Sequence, residues 1–177
     1  CYNGKVKIYR NQTVLPRAWI VGRYENIRQD DRILDRMKQP DFDPLKSVTL
    51  EEDPAGFVPS ENVTGRVAID SYQPNQVALT AESDKPGIMV FSDNHYPDWQ
   101  AFIDGAPVKI YRADYTFRAV VLPAGRHKVE FKYYSKTFNT GRIISIISAL
   151  LVILGIIGLS ITGRTGGKVT EPENKAL

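Results

Sequence analysis

From Val63 onward short apolar-rich runs with strand character follow at close spacing, and each run ends at turn residues. Runs at 63–72, 76–81, 87–91, 99–103, 108–111, 117–122 and 127–133 read as strands. The breaks carry Gln73-Pro74-Asn75, Asp84-Lys85-Pro86-Gly87, Asp104-Gly105 and Pro123-Ala124-Gly125. The last run alternates most clearly. Val129, Phe131 and Tyr133 share one face and Lys128, Glu130 and Lys132 the other, so one sheet face is buried and one is wet. Asp104-Gly105 between two β runs predicts a hairpin, and Ala124-Gly125 a second one. About seven strands with no helix between them predict a β-sandwich, jelly-roll or Ig-like.

The first 60 residues are less regular. Runs at 5–9, 18–21 and 47–50 read as short strands. Residues 28–38 (RQDDRILDRMK) predict one soluble helix, with Asp30 or Asp31 as its cap, Ile33, Leu34 and Met37 on one face, and Pro40 as its stop.

Residues 143–161 break both patterns: 19 residues without a charge, 13 of them Ile, Leu or Val. As a helix they span about 28 Å, close to the hydrocarbon thickness of a bilayer. A buried core helix is the alternative, but so small a domain cannot surround a helix that is apolar on every side. The expectation is a transmembrane helix at 137–162 with its lead-in, preceded by a β-domain at 1–136 and followed by a disordered tail at 163–177. Gly141, Ser145 and Ala149 recur every four residues, a spacing that lets another helix approach closely. The opening, Cys1 and then YNGKVKIYRN, reads as mid-domain sequence, so the chain is expected to continue a longer one. A lipidated N-terminal cysteine is the alternative.

Composition narrows the chemistry. Of 177 residues, 42% are hydrophobic and 24% charged, which is ordinary for a folding chain and excludes a disordered polymer. One cysteine and two histidines exclude a disulfide framework and leave no metal-ligand spacing, so neither cofactor nor metal is expected. The net charge of +3 is interspersed and does not read as a nucleic-acid surface. No Ser-His-Asp set or Gly-rich phosphate loop is present.

The densest polar and aromatic cluster is Asp93-Asn94-His95-Tyr96-Pro97-Asp98-Trp99. Two readings of it are open. In one, Trp99 and Tyr96 stack on a sugar ring while Asp93, Asn94 and His95 bond its hydroxyls. In the other, which weighs more, Trp99 opens a strand as a core residue, Tyr96-Pro97 is a turn, and the aspartates bond loop amides. Asp104-Gly105 reads as a turn rather than an acid site, and His127 as a structural histidine at a strand start. Asp30, Asp31 and Asp35 read as a solvated helix face, and Glu51, Glu52 and Asp53 as a wet acidic loop.

Two stretches resemble a known family. SDNHYPDWQAFIDG (92–105) and LPAGRHKVEFKYYSKTFNTG (122–141), followed by an apolar span, are similar to the end of the bacterial YfhO-type membrane proteins. Tyr96, Pro97, Trp99, Asp104 and Gly105 fall on the first motif. Pro123, Gly125, His127, Phe131, Tyr133, Phe138 and Gly141 fall on the second. LPRAWIV (15–21) resembles the opening strand of the same region. Ser135 stands where the pattern often has Pro, which leaves the turn into the helix open. The resemblance implies a polytopic, GT-C-like glycosyltransferase of the bacterial cytoplasmic membrane. Such an enzyme moves sugar from a polyprenyl-phosphate carrier to a surface polymer and keeps its catalytic carboxylate in an early loop outside this chain. This chain would supply an extracytoplasmic, noncatalytic β-domain and the last span, with the tail in the cytoplasm. Its implied partners are the lipid bilayer, the other transmembrane helices of the longer protein, and a glycan or polyprenyl-linked sugar. The alternatives are a membrane-anchored glycan- or partner-binding module and a purely structural domain.

Overall fold

The computed structural model describes residue 9 and residues 11–165. The run expected at 5–9, apart from Tyr9, lies outside the described residues, as do Cys1 and the expected tail from 166 on. The chain divides into two units, Cys1–Tyr134 and Ser135–Leu177.

The first unit is a β-sandwich of eleven strands among the described residues. One sheet contains β1 (Ala18–Val21), β2 (Arg23–Asn26), β3 (Ser47–Leu50), β6 (Gly87–Asn94), β9 (Tyr111–Ala113) and β10 (Phe117–Leu122). Its order is β1-β6-β10-β9-β3-β2, antiparallel except for the parallel β2–β3 pair. The other contains β4 (Gly65–Gln73), β5 (Gln76–Ser83), β7 (Trp99–Ile103), β8 (Ala106–Val108) and β11 (Gly125–Tyr133), in the order β4-β5-β11-β7-β8.

Period-2 rows from both sheets make the core. Met89 and Phe91 of β6 and Val120 and Leu122 of β10 meet Val77 and Leu79 of β5, Ala101 and Ile103 of β7, and Val129 and Phe131 of β11. Phe91 and Phe131 stack across the sheets at 5.6 Å. Each such ring contributes about 1.5–3 kcal/mol by leaving water. The first sheet is buried on its other face too. There Trp19, Val21, Val48, Leu50, Ile88 and Val90 form a second cluster with Phe57, and the Trp19 indole donates to the Pro44 carbonyl at 2.7 Å. This double burial is why β6 and β10 read as unbroken apolar runs rather than alternating ones.

Four expectations are corrected. The 108–111 run is two strands in different sheets. The two-residue turn at Asp104 (φ 50°) and Gly105 (φ 83°) ends β7 and starts β8 at Ala106, and the chain then leaves this sheet at Lys109-Ile110 to join the other at Tyr111. Ala124-Gly125 is not a hairpin turn. It carries the chain from β10 in one sheet to β11 in the other, because the inward rows of both strands must meet in the same core. The helix α1 (Asp30–Met37) starts at Gln29 and has no side-chain cap. Asp30 and Asp31 instead occupy its first turn, where their charge suits the helix dipole. Leu34 does not join Ile33 in the interior but is exposed. The strand β2 (RYEN) carries no apolar alternation and was not expected.

In the second unit, α2 runs Lys136–Thr165. Ser135 resolves the turn into it: its hydroxyl accepts from the Phe138 amide at 3.2 Å, a helix cap. Within α2, Lys136–Leu159 is long and apolar enough to cross a membrane, with a mean hydropathy of 2.5. Its large apolar side chains from Ile143 to Leu159 are exposed, as a lipid-facing helix requires.

Candidate functional site

The inward rows of the sandwich change character at one end of the core. In β10, Arg118 takes the position two before Val120 and four before Leu122. In β6, Asp93 follows Met89 and Phe91 on the same period. In β11 and β7, Tyr133 and Trp99 end the rows of Phe131 and Ala101. A register shift between β6 and β10 leaves Ser92 and Asp93 without a partner between the pairs Phe117–Asn94 and Arg118–Phe91. Such a bulge re-aims side chains, and here Asp93 reaches Arg118.

Arg118 is 1% exposed. Its guanidinium lies 4.0 Å from the centre of the Trp99 ring, 5.1 Å from Phe91 and 5.0 Å from Phe131. Its Nη2 donates to Asp93 Oδ2 at 2.8 Å, whereas Nε and Nη1 are buried without a hydrogen-bond acceptor. The ring faces are their electrostatic partners. Burial pushes the Arg118 pKa down, and Asp93 opposes the shift. Asp93 also accepts from Arg17 and from the Tyr72 hydroxyl, the latter at 3.0 Å. Arg17 donates to the Tyr72 hydroxyl at 2.9 Å, and Asp93 raises its pKa.

Above this network lies an open cavity of about 560 Å³, within the range of small-molecule sites. Gln73, Asn75, Asn94, Tyr96, Trp99 and Tyr133 line it together with the network. The last residue of β11 and the one after it fasten two of its loops. The Tyr133 amide donates to the Asn75 carbonyl and the Tyr134 amide to the Asp98 carbonyl, both at 2.9 Å.

Of the five residues singled out in the sequence, Asp93, Asn94, Tyr96 and Trp99 meet on this cavity. His95 is not part of its wall. It is half-buried behind the loop, its amide donates to the Thr116 carbonyl, and burial, then Arg112 and Arg118, lower its pKa. Reading the sequence missed Arg17, Tyr72 and Arg118. For Arg118 a signal existed: an arginine in phase with Val120 and Leu122.

Most of the remaining motif residues lie at turns. Pro97 precedes Asp98, which has φ 75°. Asp104 accepts from His127 Nδ1 at 2.6 Å and from the Lys128 amide at 2.8 Å, and His127 Nε2 faces the Ala124 carbonyl at 3.1 Å. Gly125 has φ 114°, and Gly141 lies within α2. Among the described residues, no group of three or more His, Cys, Asp or Glu side chains could hold a metal ion.

Residues 61–145 match the family described as bacterial membrane protein YfhO. The match covers both motifs and every cavity residue except Arg17. A protein of Bacillus subtilis (strain 168) named "Uncharacterized protein YfhO" is 26% identical over 96 residues, which are 54% of this chain and 11% of that protein's length. No solved structure matches the chain. The segment that carries both motifs and leads into the apolar helix is thus similar to the YfhO-type bacterial membrane proteins, and the chain spans about a tenth of the length of the Bacillus subtilis relative.

Proposed function

We propose that this chain is the extracytoplasmic β-domain and a membrane span of a YfhO-type glycosyltransferase, and that the cavity of the β-domain holds a glycan. The longer protein would move sugar from a polyprenyl-phosphate carrier to a cell-surface polymer, with this part noncatalytic and the residues after the span in the cytoplasm. The helix would pack through Gly141, Ser145 and Ala149 on other helices of the same protein.

The observation that carries the binding reading is the cavity, whose walls combine aromatic rings and neutral polar side chains with the mutually paired ions Arg17, Asp93 and Arg118. A saccharide presents apolar C–H faces and a rim of hydroxyls, and the first two kinds of wall match them. The state of Asp93 supports the noncatalytic reading. Arg17, Tyr72 and Arg118 all donate to it, so it is neither a free base nor a poised nucleophile. A purely structural reading of the first motif draws on Trp99, whose ring is already under Arg118.

The test is binding of the full chain, in detergent micelles, to an array of immobilised glycans, alongside a transfer assay with a polyprenyl-phosphate sugar. Binding without turnover is expected. Turnover by this chain overturns the noncatalytic reading, and an array with no bound glycan overturns the binding one.

A further inference from the structure

The cavity residues divide by what they are already bonded to. Asp93 is saturated by three donors. Trp99 carries Arg118 at 4.0 Å and Tyr133 at 5.4 Å. Asn94 and Arg17 are partly engaged. Asn94 Oδ1 accepts from Thr116 at 3.3 Å, which leaves its amide N–H groups, and Arg17 uses Nη2 alone among the described residues. The Gln73 and Asn75 side chains make no hydrogen bond among the described residues, and both are exposed on the β4–β5 turn. Tyr96 is 58% exposed and leans over Tyr133 at 6.4 Å.

Resting on the reading that the cavity holds a glycan, we infer that the turn Gln73-Pro74-Asn75, together with Tyr96, recognises one neutral sugar unit. The two carboxamides bond its hydroxyls, and its C–H face lies on the Tyr96 ring. A carboxamide offers both donor and acceptor and so pairs with either role of a hydroxyl. The turn is pre-organised, because the Asn75 carbonyl is held by the Tyr133 amide at 2.9 Å. Its side chains therefore face a ligand without the cost of ordering a loop. Asp93, Arg118 and Trp99 hold the wall and do not meet the sugar.

The experiment measures the full chain in micelles against immobilised neutral hexoses, N-acetylhexosamines and their disaccharides. Wild type is compared with the double variant Gln73→Ala/Asn75→Ala and with Tyr96→Ala. The pinning bond uses the Asn75 backbone, so the double variant keeps the turn, and circular dichroism checks this. The expected result is a loss of about tenfold or more in affinity for each variant, the scale of one or two lost hydrogen bonds or a lost stacking face. Wild-type binding with the double variant within about twofold of it overturns this inference and leaves the glycan reading standing. No binding by wild type overturns the glycan reading itself, and this inference with it.

Discussion

Asp104 and His127 join the two sequence motifs through a 2.6 Å contact from Nδ1 to Oδ2. The other ring nitrogen faces the Ala124 carbonyl at 3.1 Å. With an acceptor at each nitrogen, the site favours the protonated ring, which donates from both. The bond to Asp104, then the one to Ala124, raises the His127 pKa. The same bond, then the Lys128 amide, lowers that of Asp104. The pair thereby locks the β7–β8 turn to the start of β11.

This pair sets a pH window. A raised histidine pKa stabilises the fold fully below the unfolded value near 6.5 and loses that contribution as pH rises through the folded one. A lowered aspartate pKa stabilises above about 4 and loses that contribution as pH falls through the folded one. Thermal melts of the full chain from pH 4 to 9 should show His127→Gln losing most between about pH 4 and 6.5. The gap to wild type should close at the alkaline end, and a gap that does not change with pH would refute the imidazolium.

Asp114 adds a slope of the same sign as the histidine from a different cause. It is 3% exposed, accepts from the Thr49 amide and hydroxyl at 2.9 and 3.1 Å, and burial pushes its pKa up to about 6. A raised carboxylate pKa means stability present below about 4 and lost as pH climbs toward 6, by about 3 kcal/mol at most. Asp114→Asn tolerates the left-handed φ of 43°. Its melting temperature should vary less with pH between 4 and 6 than that of wild type.

Arg118 and Asp93 are not equivalent in their dependence on each other. Removing Asp93 leaves a buried guanidinium with no acceptor, whereas removing Arg118 leaves Asp93 with Arg17 and Tyr72. Asp93→Ala should therefore cost about 3 kcal/mol or more, and Arg118→Met, which refills an aromatic slot, about 1 kcal/mol or less. Urea unfolding in micelles reads both, and equal costs would contradict the asymmetry.

Gly22, between β1 and β2, is required by close approach. A Cβ there would lie 2.0 Å from the Ser60 carbonyl oxygen and 2.6 Å from Val63 Cγ2. Gly22→Ala should lower stability by about 2 kcal/mol, seen as a lower melting temperature. An unchanged value would mean that the 60–63 segment can move away.

Short apolar-rich runs bounded by turn residues located several strands. β1, β3, β7 and β10 lie at their expected bounds, 18–21, 47–50, 99–103 and 117–122. β2 escaped notice because its side chains are polar or half-exposed and its pairing is with β3, 20 or more residues away. The Asp93–Trp99 cluster was legible as a dense polar and aromatic segment. Its roles were not, because whether Trp99 offers a free face depends on Arg118, which arrives from another strand.

By itself the sequence determined the β-rich domain, the apolar helix after it and the likeness of its two motifs to the YfhO-type proteins, because periodicity, span length and motif spacing are local properties of the chain. Only the tertiary structure decided that Ala124-Gly125 crosses between sheets, that Asp93 is saturated by Arg17, Tyr72 and Arg118, and that Gln73 and Asn75 face the cavity unbonded. Those facts depend on which strands become neighbours. That choice follows from burying two sets of inward rows in one core, and no short stretch of the chain encodes it alone.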